Sequence, residues 1–227
     1  MKSKTSRVLI VAEHISDATP FHKVLKEHWE VAAIPPSALS SAEEAQWVLL
    51  ESQRFRAILQ QAAWLDTATG ALNEDRLHQG LVSEWRRNGR NQTPISLLLM
   101  EVDHIAAYTE AMGEEKRDEM MGRVMGSLGE NIQRAGDLLG RFDDEIFACV
   151  LPETDTLGAV SVAERIRAEV NLLAYPHGHS TAAPIVTLSI GLASLVPGRN
   201  HQLEHFVEST RLALARAQQR GGNQVVF

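Results

Sequence analysis

Apolar positions along this chain of 227 residues change period several times, and each change marks an element. Val8-Leu9-Ile10-Val11 lies in an apolar stretch from Arg7 to Ala12 that closes on Glu13 and His14, the pattern of a strand covered on both faces. Phe21, Val24, Leu25 and Trp29 then recur at helical spacing, and Glu30 to Ile34 forms a second short strand stopped by Pro35-Pro36. Ser40-Ser41-Ala42-Glu43-Glu44 supplies a serine cap and acids for a first helical turn, so a helix is expected from there to about Leu65. Along it Val48, Phe55 and Ala62 share one heptad position, and Glu51, Ile58 and Leu65 share another. That spacing fits either a short coiled-coil seam with a second chain or a helix packed on its own domain.

From Asp66 onward, predicted helices and strands alternate. A turn-rich stretch, Asp66 to Asn73, leads into a helix through Leu77, Leu81 and Trp85, followed by a polar loop from Arg86 to Thr93. Ile95 to Val102 reads as a buried strand, and Tyr108 to Gln133 carries helical spacing. Leu139 to Pro152 reads as two short apolar strands joined by a turn of consecutive acids, Asp143-Asp144-Glu145. A helix over about 156–173, a strand from Ile185 to Ser194, a helix over about 201–220 and a last strand from Gln224 to Phe227 complete the pattern.

Composition narrows the possible functions. Hydrophobic content of 44% and charged content of 22% are ordinary for a globular protein. A net charge of -7 argues against nonspecific binding to nucleic acid or to an anionic membrane, though a few local arginines could still hold a small anionic ligand. No apolar run approaches the ~18 residues of a membrane span, and the short N-terminal run reads as a strand rather than a signal peptide, so a cytoplasmic protein is expected. The single Cys149 sits in an apolar run, which predicts a buried structural thiol. His177 and His179 fall in a loop expected to be solvated, and His201 and His205 lack the acidic partner of a zinc hydrolase.

Several segments, in order, resemble the GGDEF family of diguanylate cyclases. Asp66-x-x-Thr69-Gly70-x-Leu72-Asn73 is similar to its opening motif, Met100-Glu101-Val102-Asp103-His104-Ile105 to its acidic strand end, and Leu139 to Pro152 to its signature hairpin. Val162 to Arg167, Thr187 to Ala193 and Gly221-Gly222-Asn223 are similar to the later helix, strand and turn. The resemblance implies an α/β fold in which a central, mostly antiparallel sheet is flanked by helices. The N-terminal β-α-β pattern resembles a receiver domain in truncated form. The expected organisation is a receiver-like remnant over residues 1–40, a linker or signalling helix over 41–65, and a degenerate GGDEF domain over 66–227.

The resemblance also implies what each site residue would do. Such a cyclase joins two GTP molecules into cyclic di-GMP using Mg²⁺ held by carboxylates. Glu101 and Glu145 stand at the metal and catalytic acid positions. Asp143 and Asp144 replace the two glycines that let the backbone approach phosphates at positive φ. Each added carboxylate near a phosphate, at about 5 Å and an effective dielectric near 20, repels by about 3 kcal/mol. Ile146, Thr109, Ala106 and Gln218 also depart from the family pattern, whereas Asp118, the matching guanine-binding acid, is present. Glu145, Asp143, Asp144 and Glu101 are therefore expected to be vestigial, with no catalysis and no required cofactor; Mg²⁺ would matter only for residual cyclase activity. As bare residues, these acids also suit a polar turn and a solvated strand end, with Glu101 and Asp103 on one strand face.

Arg134-Ala135-Gly136-Asp137 resembles the family's inhibitory, product-binding motif, and Arg165 its auxiliary arginine, with Arg167 a weaker candidate. A guanidinium can grip phosphate or the O6/N7 edge of guanine, and a carboxylate accepts from guanine N1 and N2. The leading expectation is a catalytically inactive protein that binds cyclic di-GMP through Arg134, Asp137 and Arg165 and relays it to a protein partner, with homodimerisation possible. The alternatives are a non-nucleotide interaction or dimerisation module, and a weak diguanylate cyclase using Glu101 and Glu145.

Overall fold

The computed structural model describes residues 7–11, 30–34 and 71–227 except residue 133. The chain divides into two compact units, residues 1–62 and 63–227. In the first, β1 (Arg7–Val11) and β2 (Glu30–Ile34) pair in parallel, with Arg7 opposite Glu30 and Val11 opposite Ile34. The helix expected between them and the helix expected over 41–65 lie outside the described residues.

The second unit is built on a five-stranded sheet. Its strands are β3 (Ile95–Val102), β4 (Leu138–Arg141), β5 (Ile146–Pro152), β6 (Leu188–Leu195) and β7 (Val225–Val226), in spatial order β4-β5-β3-β6-β7. All pairings are antiparallel except β6 with β7. Helices α1 (Glu74–Asn91), α2 (Ile105–Met112), α3 (Glu114–Asn131), α4 (Thr156–Leu172) and α5 (Leu203–Gln219) complete it. This is the α/β architecture, a mostly antiparallel sheet flanked by helices, that the sequence predicted.

The central strand β3 is buried on both faces, which explains its unbroken apolar run. Ile95, Leu97 and Leu99 pack with Leu77 and Leu81 of α1 and Phe206 and Leu214 of α5. Leu98, Met100 and Val102 pack with the methionines and Val124 of α3 and with Ala159, Ala163, Ile166 and Val170 of α4. Each such leucine or isoleucine contributes roughly 1.5–3 kcal/mol by leaving water. The result is three layers, with α1 and α5 on one face of the sheet and α3 and α4 on the other.

Several element boundaries differ from expectation. The polar stretch after Trp85 is helical as far as Asn91, because buried Asn88 donates to the Glu84 carbonyl (2.8 Å) and accepts from Thr93 Oγ1 (2.9 Å) and the Glu153 amide (3.1 Å). The single long helix expected over 108–133 is two, divided at Gly113, whose φ of 83° no helix interior accommodates. Strand β6 begins at Leu188, not Ile185.

Candidate functional site

The acids of the strand end and hairpin do not form one set of equivalent ligands. Glu101, in register with Ile146 on one side and Ser189 on the other, is half-buried at the end of β3. Burial raises its carboxyl above the usual carboxylate range. A hydrogen bond with the Gln218 side chain pulls the other way, and the charges of Glu145, Asp143 and Asp103 push it up further.

Asp103 corrects the expectation of a solvated strand end sharing a face with Glu101. It lies one residue past β3 and is buried. Its two oxygens accept from Thr187 Oγ1 (2.6 Å), Ser189 Oγ (2.6 Å) and the Asn223 amide (2.8 Å). A Cβ at Gly222 would stand 2.8 Å from its Cγ, so that glycine is required by close approach. Asp103 is thus an anchor for the C-terminal turn. Arg167, the weaker ligand candidate, belongs to the same structure. It bonds Glu164 (2.9 Å) and the Asn223 side chain (3.0 Å).

The hairpin turn closes on itself. Asp143 Oδ1 accepts from the backbone amides of Glu145 (3.2 Å) and Ile146 (2.9 Å), and Asp143 Oδ2 pairs with Arg211 at 3.3 Å. The Arg211 guanidinium lies 5.0 Å from the centre of the Phe142 ring. Arg141 donates to the carbonyls of Asp143 (3.1 Å) and Asp144 (2.7 Å), and Arg117 also reaches the Asp144 carbonyl at 3.3 Å. Neither aspartate has a positive φ, so this turn has a backbone that side-chain-bearing residues accept. A cleft of about 440 Å³ beside it is lined by Glu74, Asp75, His78, Phe142, Asp143 and Arg211.

The donor set does not fit the Mg²⁺ that the family resemblance implies. Burial and the neighbouring acids disfavour a charged Glu101, Asp143 is bonded to amides and Arg211, Asp103 to three donors, and Ile146 offers no oxygen ligand from its side chain. Among the described residues no group of three or more His, Cys, Asp or Glu side chains is arranged to hold a metal ion.

The Arg134, Asp137 and Arg165 candidates are brought together. Arg134 and Asp137 bracket a tight turn between α3 and β4, in which the Asp137 amide donates to the Arg134 carbonyl at 3.0 Å. The helix has already ended, so a turn rather than helical spacing places the pair. Arg134 is exposed and reaches Thr154 Oγ1 at 3.4 Å; Arg165 is exposed on α4. Asp137 is half-buried, and burial raises its carboxyl above the usual range while the charges of Arg134 and Arg165 both lower it. Two guanidiniums thus flank one partly desolvated carboxylate. A Cβ at Gly136 would meet nothing within 4 Å, so the turn leaves open space above it. Such a set can hold an anion with the arginines and accept a ring N–H with the carboxylate.

Other candidates resolve as architecture. Cys149 is fully buried, and burial pushes its thiol far above the usual range, as a structural thiol requires. His177 is buried rather than solvated, its Nε2 bonded to the Asp103 carbonyl at 3.1 Å and its ring edge-on to Tyr108 at 5.2 Å. The arginines that close the hairpin were missed from sequence. Arg141 adjoins the turn and could have been suspected, but Arg117 and Arg211 carry no local signal.

Comparison with known proteins identifies the family and the fold. The family model described as "Diguanylate cyclase, GGDEF domain" matches residues 63–224. A probable diguanylate cyclase of Escherichia coli K12, DgcC, is 29% identical over 168 residues, 73% of this chain but 43% of that relative, so the chain spans less than half its length. Among solved structures, the coiled coil and GGDEF domain of DgcB from Caulobacter crescentus, in complex with c-di-GMP, has a TM-score of 0.69 at 22% identity, covering 82% of this chain and 99% of that one. The diguanylate cyclase SiaD of Pseudomonas aeruginosa, in complex with its activator SiaC, has a TM-score of 0.66 at 24% identity, covering 94% of this chain and 76% of that one. These likenesses carry the fold.

Proposed function

Because the chain belongs to the GGDEF family of diguanylate cyclases, we propose that it is a catalytically inactive member that binds cyclic di-GMP through Arg134, Asp137 and Arg165 and passes that occupancy to a protein partner. The observation that carries the reading is the contrast between its two sites. At the α3–β4 turn, two exposed guanidiniums flank a half-buried carboxylate whose charge both of them favour. At the hairpin, the positions that would meet GTP are carboxylates, and one of them, Asp143, is already bonded to the turn's own amides and to Arg211. The first arrangement suits a phosphodiester carrying guanine; the second opposes a triphosphate. The c-di-GMP complex of the DgcB relative supports the ligand, and the SiaD–SiaC complex supports a protein partner for a domain of this fold.

Calorimetric titration of cyclic di-GMP into the purified chain, with GTP and Mg²⁺ as the comparison, tests this. Binding of cyclic di-GMP alone, abolished by Arg134→Ala, is the expected result. Unchanged affinity in the Arg134→Ala protein would sink the site. Absence of binding to either ligand would leave a protein-interaction module, and product formed from GTP and lost on Glu145→Gln would make it a cyclase.

A further inference from the structure

The C-terminal end of α1 carries arginines on two different faces. Arg87 turns toward Glu84 (2.9 Å) and Glu153 (3.9 Å). Arg86 and Arg90 instead face Arg199, of the loop between β6 and α5, across a cleft of about 600 Å³. Trp85 and Pro197 give that cleft an apolar wall, and among the described residues no carboxylate lines it. All three arginines are exposed, and no ion pair or side-chain hydrogen bond joins any of them to another described residue. In a chain of net charge -7, three such cations around one cleft are a local reversal of sign.

We propose that this cleft docks an extended acidic segment of a protein partner. Arg86 and Arg90 are four residues apart on α1, so they share a side of the helix about 6 Å apart along its axis. Carboxylates two residues apart on an extended chain share a face about 6.6 Å apart, which matches that pair. Arg199 meets the segment from the opposite wall, and Trp85 and Pro197 offer it apolar surface. The cleft is open, and among the described residues no polar side chain that lines it is buried. That suits a segment laid along a surface better than a small molecule, which needs enclosure. The position also suits a relay. Asn88, between the two arginines on α1, accepts from the Glu153 amide (3.1 Å), and Arg134 reaches Thr154 beside it (3.4 Å). The inference deepens the reading of a protein partner and rests on it, while the cleft itself does not depend on cyclic di-GMP.

The test is fluorescence anisotropy of a fluorescein-labelled decaglutamate peptide titrated with the full chain and three variants. These are Arg86→Ala with Arg90→Ala, Arg199→Ala alone, and Arg216→Ala with Arg220→Ala. The last pair lies exposed at the end of α5 and changes the net charge as much as the first. All five arginines are exposed, so alanine leaves the fold intact. Docking predicts that the first variant binds the peptide about tenfold more weakly and Arg199→Ala about threefold, with the third unchanged. Equal losses in the first and third variants would reduce the effect to overall charge and overturn the cleft. Unchanged affinity in Arg199→Ala, or no peptide binding by the unaltered chain, would overturn it too. Displacement of the peptide by pyrophosphate or by oligothymidylate at equal charge would assign the arginines to phosphate, against a protein partner. Cyclic di-GMP titrated into the same proteins separates the two ideas. Its failure to bind would remove the Arg134 site and leave the peptide result standing, and failure of the peptide would leave cyclic di-GMP binding untouched.

Discussion

Glu101 is a side chain whose surroundings oppose its charge. Burial disfavours the carboxylate, Glu145, Asp143 and Asp103 add repulsion, and only the Gln218 bond supports the ionised form. A carboxyl raised in the folded state binds its proton more tightly there than in the unfolded chain. Its contribution to stability is therefore complete below the unfolded value of 4.5 and is lost as pH rises through the folded one. Glutamine copies the protonated form, so Glu101→Gln should melt higher than the unaltered chain at pH 7, by about 1 °C or more. The gain should vanish near pH 4. Thermal melts at the two pH values decide it, and a lower melting temperature at pH 7 would mean that Glu101 is doing something its neighbours require. At this scale the sequence identified the right acids but not their partners. The Asp143-Asp144-Glu145 string announces a polar turn, whereas Arg211, which ties it down, lies 68 residues away in the chain. Asp103 reads as a strand-end acid for the same reason, since Thr187, Ser189 and Asn223 reach it only after the fold has formed.

At the scale of elements, the contact between α5 and β6 is the tightest constraint. A Cβ on Gly191 would fall against the backbone of α5, 2.7 Å from Leu214 Cα and closer still to the Thr210 carbonyl and the Leu214 amide. Backbone cannot move aside as a flexible side chain can. Gly191→Ala should therefore force α5 off the sheet and cost about 3 kcal/mol or more, visible in denaturant unfolding as a lower midpoint. A loss under about 0.5 kcal/mol, the range of an ordinary surface change, would show that the helix can shift. Elements were legible wherever burial imposed a clean period. Strand β3, apolar on both faces, was placed at Ile95 to Val102, its observed bounds, and α4 and α5 were placed within a residue or two. The C-terminal end of α1 was not legible, because Arg86 to Asn91 is polar and reads as loop. What holds that turn helical is a tertiary contact, Asn88 with the Glu153 amide, which has no trace in local sequence. The break at Gly113 was also missed, since one glycine in an apolar-periodic stretch does not reveal its φ.

In the domain as a whole, the two candidate sites are the two ends of one short strand. Strand β4 has four residues, about 13 Å of chain at strand rise. Asp137 precedes it, and Phe142 and the closed turn follow it. Its outer edge is held by Leu72, whose amide donates to the Leu139 carbonyl (3.1 Å) and whose carbonyl accepts from the Arg141 amide (2.7 Å). Its inner edge is paired with β5. A ligand gripping Arg134, Asp137 and Arg165 therefore joins the α3–β4 turn to α4, and makes the start of β4 harder to open. Binding to the folded form alone stabilises it by mass action, by about 2.7 kcal/mol at a ligand concentration one hundred times Kd. For a domain of this size that is about 5–10 °C in Tm. Cyclic di-GMP should raise the melting temperature by that order in the unaltered chain and leave Arg134→Ala unmoved, while GTP raises neither. Hydrogen exchange adds the location: the Leu72 and Arg141 amides should slow with cyclic di-GMP if occupancy is felt along the strand. A ligand-dependent rise in Tm without any change at those amides would confine its effect to the turn and α4, and the relay to a partner would then have to begin there.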